Sequence, residues 1–118
     1  MRKLFIFLLL SIVVMTSGSL RIKYVRSGQS QCGTILYNID GNWIREGQSP
    51  SGKIVFNLDG KYVRQGQTCT GTILYNIDRN YIRKGQSVCG EILYNIDGRY
   101  IRKGMSINGT IVFNLTEY

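Results

Sequence analysis

Apolar and polar positions alternate in short runs along the chain, and the same pattern returns every 19 residues. Each copy contains a five-residue stretch of the type Ile-Leu-Tyr-Asn-Ile, rich in residues that favour β-strands. An Asp-Gly pair usually follows, and then an aromatic residue, a β-branched residue and an arginine. Glycine accepts the positive φ that a tight hairpin turn requires. The pattern therefore predicts a series of β-hairpins, and Tyr81 to Arg99 shows one whole copy.

Five copies of each strand type are present. The outgoing stretches are Ile35 to Ile39, Ile54 to Leu58, Ile73 to Ile77, Ile92 to Ile96 and Ile111 to Leu115. The return stretches begin at Tyr24, Trp43, Tyr62, Tyr81 and Tyr100. The third copy has Arg79 where the others have glycine after Asp. Because arginine is strained at positive φ, we expect this turn to differ in type.

The strands at the two ends of the repeated region lack a neighbouring partner in sequence. The region begins with a return strand at Tyr24 and finishes with an outgoing strand at Ile111. We expect Ile111 to Leu115 to pair antiparallel with Lys23 to Ser27, which would hide two exposed sheet edges. The predicted fold is all-β: five hairpins of ~19 residues closed about a pseudo-five-fold axis, in a propeller-like domain at residues 20–118.

Strand alternation divides each hairpin into two faces if the loop has an even number of residues. The apolar face, which we expect to form the core, holds Ile35, Tyr37, Ile39 and Ile44. The mixed face holds Leu36, Asn38, Trp43 and Arg45. An odd loop would exchange these partners. The repeated Asn of the mixed face has two interpretations, a side-chain bond that fixes a turn or link, or contact with a ligand.

The first 19 residues have the pattern of a signal peptide. Arg2 and Lys3 precede an apolar run from Leu4 to Met15, and small residues follow. We expect export to the periplasm or the extracellular space, with an uncleaved N-terminal anchor as the alternative. Without Arg2 and Lys3, 13 basic residues face 7 acidic residues, a net charge of +6. This charge would favour anionic partners such as acidic polysaccharides, other cell-envelope components or lipid headgroups. Nucleic acid is the least expected partner of an exported protein. The simpler interpretation is that the charge keeps the protein soluble.

The side-chain chemistry of the chain argues against catalysis. Histidine is absent, which removes the commonest general base and a frequent metal ligand. The repeated Asp residues are better explained as turn formers than as calcium ligands. We expect no enzyme activity, no cofactor and no metal. Three cysteines are present, and if one disulfide forms, Cys69–Cys89 is the expected pair because their links belong to adjacent hairpins.

The candidate ligand-binding residues are five arginines, each two positions after an aromatic residue and on the same face. They are Arg26, Arg45, Arg64, Arg83 and Arg102, with Tyr24, Trp43, Tyr62, Tyr81 and Tyr100. A ring of such pairs would offer cations and stacking surfaces to an anionic or sugar ligand. The alternative is a solvated face on which the arginine stems cover apolar surface.

The five copies of this pattern after a signal peptide resemble the five-fold β-flower proteins of bacterial exported proteomes, over Arg21 to Tyr118. The resemblance implies hairpins arranged as petals around an axis and transfers no activity. We therefore expect an exported, non-catalytic binding or scaffold module. The alternatives are a cell-wall repeat similar to choline-binding hairpins, which use more tryptophan than the single Trp43 here, and a small hydrolase.

Overall fold

The computed structural model describes the backbone of residues 22–117 and the side chains of residues 24–117, so the predicted signal peptide lies outside the described residues. Ten strands form in this part of the chain. They are β1 (Ile22–Ser27), β2 (Ile35–Asp40), β3 (Trp43–Glu46), β4 (Ile54–Asp59), β5 (Tyr62–Gln65), β6 (Ile73–Asp78), β7 (Tyr81–Lys84), β8 (Ile92–Asp97), β9 (Tyr100–Lys103) and β10 (Ile111–Glu117). The predicted strands are thus confirmed.

Four hairpins, β2–β3, β4–β5, β6–β7 and β8–β9, consist of strands that are consecutive in the chain. In the first, Asp40 lies opposite Trp43, which leaves a two-residue loop. The loop is therefore even, which selects the division into faces that the sequence analysis gave for an even loop. The first loop residue has positive φ, at 63° for Gly41 and at 61° for Arg79. This is the pattern of a type II′ turn. Arg79 adopts the same conformation as glycine, so the expected change of turn type is wrong.

The fifth, closing hairpin joins the two ends of the described chain. Strand β10 pairs antiparallel with β1, placing Phe113 opposite Ser27 and Leu115 opposite Val25. All ten strands then belong to one closed antiparallel barrel, in the order β9-β10-β1-β2-β3-β4-β5-β6-β7-β8. The predicted ring closure is confirmed. It removes both free edges, which is how a sheet of short strands avoids edge-to-edge association.

A register shift marks each contact between neighbouring hairpins. Between β3 and β4, Ile44 lies opposite Phe56 but Arg45 lies opposite Ile54, so Val55 is an extra residue. The same shift occurs at the other four contacts between hairpins, including β9–β10 and β1–β2. A bulge bends its strand and increases the local twist. Five repeated bulges therefore supply curvature for a barrel of such short strands.

The apolar face points toward the barrel axis. Tyr37 contacts Phe56 edge-on at 5.8 Å, and the rings of Tyr94 and Phe113 lie 6.0 Å apart. Burial raises the pKa of the Tyr75 hydroxyl above its ordinary value of 10.0, and the hydroxyls of Tyr94 and Tyr37 raise it further. Since Tyr37 and Tyr75 belong to hairpins that are not neighbours, the aromatic rings of this face must converge inside the barrel.

The apolar face is nevertheless not where the deepest burial occurs. Among the described side chains, Val63 and Leu115 are the only buried apolar residues. The five asparagines of the mixed face are more buried, with exposures between 0% and 4%. They are Asn38, Asn57, Asn76, Asn95 and Asn114. Val63 and Leu115 both lie on the apolar face, as predicted for the core. The mixed face is buried as well at each asparagine, because a second layer of chain covers it there.

Candidate functional site

The buried asparagines hold the segments that connect the hairpins, which we call the links: residues 28–34, 47–53, 66–72, 85–91 and 104–110. In the second hairpin, the Asn57 side-chain amide donates to the carbonyls of Gly66 and Thr68, both at 2.9 Å. The other four asparagines make the same pair of bonds at 2.7 Å to 3.0 Å. The interpretation that the asparagine fixes the link is thus confirmed.

These bonds also fix the orientation of each amide group. Two backbone carbonyls can only accept, so the Nδ2 group must face them and Oδ1 must point the other way. Within the described residues, Oδ1 of Asn76 and Oδ1 of Asn114 are buried without a hydrogen-bond partner. An ionised carboxylate could not replace the amide, because it has no hydrogen to donate to either carbonyl.

The second glycine of each copy lets the link pass close to the end of the return strand. A Cβ on Gly52 would lie 2.3 Å from the carbonyl oxygen of Glu46, and one on Gly71 would lie 2.1 Å from that of Gln65. No real side chain tolerates such a distance to backbone, so the position requires glycine. Within the same link, Gly52 N–H donates to the Ser49 carbonyl and Ser51 N–H donates to Ser49 Oγ.

The repeated arginine holds the far end of the same link. Arg64 Nη1 donates to the Gly71 carbonyl at 2.9 Å, while Nε donates to Asp59 Oδ2 at 2.9 Å. The same ion pair joins Arg45 to Asp40, Arg83 to Asp78 and Arg102 to Asp97 at 3.1 Å to 3.2 Å. These arginine side chains are only 16% to 19% exposed. Each guanidinium therefore ties a link to the end of an outgoing strand.

The predicted arginine–aromatic pairs do come together. The guanidinium carbon of each arginine lies 5.5 Å to 5.8 Å from the ring centre of the aromatic residue two positions earlier. Lys61 adds a second cation over the Tyr62 ring at 5.5 Å. The sequence analysis placed these pairs correctly on one face but missed the Asp partner. The signal was present, because Asp precedes Arg by five positions in four copies.

The closing hairpin departs from this arrangement at one residue. Thr116 occupies the position that Asp occupies in the other hairpins, and Arg26 Nε donates to its Oγ1 at 3.2 Å. Arg26 Nη1 still donates to a link carbonyl, that of Gly33, at 2.8 Å. Arg26 also lies over the Tyr24 ring, with 5.6 Å between the guanidinium carbon and the ring centre. Arg26 is thus the one repeated arginine whose partner at this position is a hydroxyl.

The ion pairs reveal where the excess positive charge lies. Five of the seven acidic residues are paired: the four repeated Asp residues and Glu117, which binds Arg99 at 3.2 Å. Among the described side chains, Glu46 and Glu91 remain without an ion pair. The basic residues without one are Arg26, Lys53, Lys61, Arg79, Lys84 and Lys103. All of these except the half-buried Arg26 are exposed.

An open cleft of about 250 Å³ lies between the fourth hairpin and the closing hairpin. Gln31, Asp97, Arg99 and Asn114 contribute to its walls.

Residues 22–117 contain no helix long and apolar enough to cross a membrane. They also contain no group of three or more His, Cys, Asp or Glu side chains that could hold a metal ion.

The three cysteines lie in links and are exposed free thiols in this structure. Cys32 and Cys89 occupy the same place in their links, and the N–H of each donates to the serine hydroxyl two residues earlier at 2.9 Å. The Cys69–Cys89 disulfide stays a prediction. Counting thiols on denatured, non-reduced protein tests it: one free thiol and a mapped Cys69–Cys89 bridge would support the pair, and three free thiols would exclude it.

The closed ring of repeated hairpins defines the class of protein: an all-β barrel built from internal repeats. Residues 19–118 match the family described as the 6-fold beta flower protein, and the chain belongs to that family. The expected five-fold family is therefore wrong, although the described strands do form five hairpins. No curated protein and no solved structure matches the chain.

Proposed function

We propose that the protein is an exported, non-catalytic binding module for an acidic polysaccharide of the cell envelope. The observation that carries this proposal is the distribution of unpaired charge. Six basic side chains lack an ion pair against two acidic ones in the described part of the chain. A surface with such an excess attracts polyanions, and the attraction weakens as salt screens it.

The arginine–aromatic pairs supply a second kind of contact in this proposal. Four of the five arginines are neutralised by Asp, so their charge contributes little to holding a polyanion. They instead support the rings of Trp43, Tyr62, Tyr81 and Tyr100, and Trp43 is 37% exposed. Aromatic faces of this kind provide stacking surfaces for sugars. The exposed lysines and Arg79 then supply the charge, and the rings supply the flat contact.

Affinity in this arrangement depends on several weak contacts acting together. A single exposed cation–π contact contributes about 0.5–1 kcal/mol. A polymer that reaches several hairpins gains from the high effective concentration of the later contacts. We therefore expect binding to require an oligosaccharide, and we expect the loss of any one exposed cation to weaken polymer binding only slightly.

The choline-binding alternative is less favoured by the geometry of the rings. A choline site encloses a quaternary ammonium among several aromatic faces. Here each repeated ring already has an arginine of its own hairpin within 5.8 Å of its centre. A choline cation would have to compete with these guanidinium groups, and at Tyr62 also with Lys61, for the same ring.

The test is binding of the protein to polygalacturonate at low salt, with neutral galactan as the control ligand. Replacing Lys61, Arg79 and Lys84 together by Gln should reduce polygalacturonate binding by about ten-fold or more, since each contact to a charged group contributes on the order of 1 kcal/mol. The thermal midpoint should change little, because these side chains are exposed and make no ion pair.

A matched variant separates surface charge from structure. Replacing Arg45, Arg64 and Arg83 together by Gln removes the same formal charge but also removes three link bonds and three ion pairs. We expect this variant to lose stability as well as affinity. If polygalacturonate fails to bind the parent protein, or if the Lys61, Arg79 and Lys84 variant binds as tightly as the parent, the proposed function is wrong.

A further inference from the structure

Four hairpins show how this fold holds a carboxylate. In each, an Asp oxygen accepts a hydrogen bond from arginine Nε at 2.9 Å to 3.2 Å. The same arginine is held in place by a link carbonyl at Nη1 and by an aromatic ring against its face. The position is thus a carboxylate-binding position, and the chain supplies its own carboxylate in four hairpins.

The closing hairpin retains this arginine and its supports but has Thr116 instead of Asp. Arg26 is held by the Gly33 carbonyl and packs over the Tyr24 ring, as its counterparts do. Its Nε reaches only a neutral hydroxyl, Thr116 Oγ1. Among the hydrogen bonds of residues 24–117, neither Arg26 Nη2 nor the hydroxyl hydrogen of Thr116 has an acceptor. Two donors and an uncompensated charge therefore meet at one place.

Both side chains are half-buried, so the site is partly screened from water and still open to a solute. Hydrogen bonds between a guanidinium and a carboxylate are stronger than those between neutral groups, and partial desolvation strengthens them further. The supports at Nη1 and at the ring hold the guanidinium before any ligand binds, which reduces the entropy lost on binding.

We propose that Arg26 and Thr116 bind the carboxylate of a uronic acid residue in the polysaccharide ligand. The choice of a uronic acid rests on the proposed function, while the carboxylate site itself rests on the comparison among the five hairpins. The ligand carboxylate supplies beside Thr116 the negative charge that Asp supplies in the other four hairpins. It accepts one hydrogen bond from Arg26 Nη2 and one from the Thr116 hydroxyl.

The experiment follows the Nε–H signals of the arginines by NMR while galacturonate trisaccharide is added to the protein. The Arg26 signal should shift and saturate, and the Arg64 signal should not, because Asp59 occupies its site. Neutral galactose trisaccharide should shift neither signal. If acetate at the same concentration shifts Arg26 as strongly as the trisaccharide does, the sugar contributes nothing and the uronic acid assignment is wrong.

Two exchanges between hairpins test the site in both directions. T116D supplies the internal carboxylate that the other four hairpins contain, so it should fold and should lower galacturonate affinity by about ten-fold or more. D59T copies the closing hairpin into the second hairpin, so Arg64 should now shift on addition of galacturonate. Failure of either exchange, with the variant folded, would overturn the proposal.

The outcomes for the site and for the proposed function can be separated. If polygalacturonate binds the parent and T116D equally and Arg26 does not shift, the carboxylate site is wrong while the binding function stands. If Arg26 shifts with galacturonate trisaccharide but polygalacturonate does not bind, the site stands and the polymer-binding function is wrong.

Discussion

The four hairpins made of consecutive strands and the closing hairpin, made of the first and last described strands, have almost the same internal bonds. Asn57 reaches a link 9 and 11 residues away, whereas Asn114 reaches the corresponding link 86 and 84 residues away. Arg26 and Arg64 both bond the link glycine seven residues later. Covalent continuity of the hairpin therefore does not determine these contacts. The repeated side chains determine them, and they act equally between strands that are far apart in the sequence.

The two kinds of hairpin differ in two respects. The closing hairpin has Thr116 in place of Asp, so its arginine lacks the ion pair. It also has no turn within the described chain, and its pairing shifts between Thr116 and Glu117. The difference shows which parts of the repeat are needed for closure: the asparagine and the arginine are retained, and the Asp and the turn are not.

Removing the outgoing strand of the closing hairpin should have the largest effect. A chain truncated after Gly109 loses β10, which pairs with both β9 and β1. We expect the whole barrel to unfold cooperatively, because each remaining end would expose an unpaired strand edge. Circular dichroism during heating measures this, and a chain lacking only Tyr118 is the control. A truncated chain that keeps the parent's thermal midpoint would contradict the closed ring.

Replacing the buried asparagine tests whether the closing hairpin belongs to the same cooperative unit. Asn114→Ala and Asn57→Ala each leave two link carbonyls without their donor. Each should lower the free energy of unfolding by about 2 kcal/mol, since unpaired buried polar groups cost about 1–3 kcal/mol. Urea denaturation measures both. A loss for Asn57→Ala with none for Asn114→Ala would show that the closing hairpin opens independently.

The strained turn of the third hairpin offers a stabilising change. Arg79 has φ of 61°, a conformation that costs a non-glycine residue on the order of 1 kcal/mol. Relief of this strain should raise the free energy of unfolding of Arg79→Gly by at most about 1 kcal/mol. Glycine also makes the unfolded chain more flexible, which offsets part of that gain. Gly60→Arg, the reverse change in the second hairpin, should lower it. Equal stability of all three proteins in urea would show that the turns are unstrained.

The missing ion pair of the closing hairpin should have a smaller effect on stability. Thr116→Asp supplies a fifth pair and should raise the free energy of unfolding by about 0.5 kcal/mol, the scale of a partly exposed pair. Asp59→Thr should lower it by a similar amount. Thermal unfolding at low and high salt measures both changes, which should shrink as salt rises. A destabilised Thr116→Asp protein would mean that the closing hairpin does not reproduce the geometry of the others.

The smallest effect concerns the aromatic residues inside the barrel, where Tyr75 in the third hairpin corresponds to Phe113 in the closing one. Burial raises the pKa of Tyr75 above 10.0, so the folded state keeps this proton at a pH where the unfolded state has lost it. The contribution of this proton to stability is complete below pH 10.0 and is lost as pH rises through the folded-state pKa.

Tyr75→Phe should consequently make stability fall less steeply above pH 10. Urea midpoints measured at several alkaline pH values test this, with Tyr24→Phe as a control on the outer face. Equal slopes for the Tyr75→Phe protein and the parent would show that the Tyr75 hydroxyl titrates alike in the folded and unfolded states.

The strands, the closure of the ring and the two faces expected for an even loop could all be predicted from the amino-acid sequence, whereas the number of residues in each loop could not. These features depend on local chemistry: a 19-residue period, Asp-Gly turns, and side chains that alternate with a period of two. The pairing of Ile111 to Leu115 with β1 followed from counting strand types, because the last outgoing strand and the first return strand lack other partners. The arginine–aromatic pairs followed from their spacing of two residues.

The identity of the buried residues and the partners of each repeated polar side chain depend on how the hairpins and links pack together. Asn76 is fully buried because a link folds over it, and a link's path depends on the packing of the whole hairpin. The conformation of Arg79 also follows from the folded hairpin, since a two-residue loop between twisted strands favours a positive φ at its first residue even where that residue is not glycine. Asp59 and Thr116 each contact the arginine of the strand paired with their own, Arg64 and Arg26 respectively. The contact of Thr116 with Arg26 therefore requires the pairing of β10 with β1, which only the folded barrel brings about.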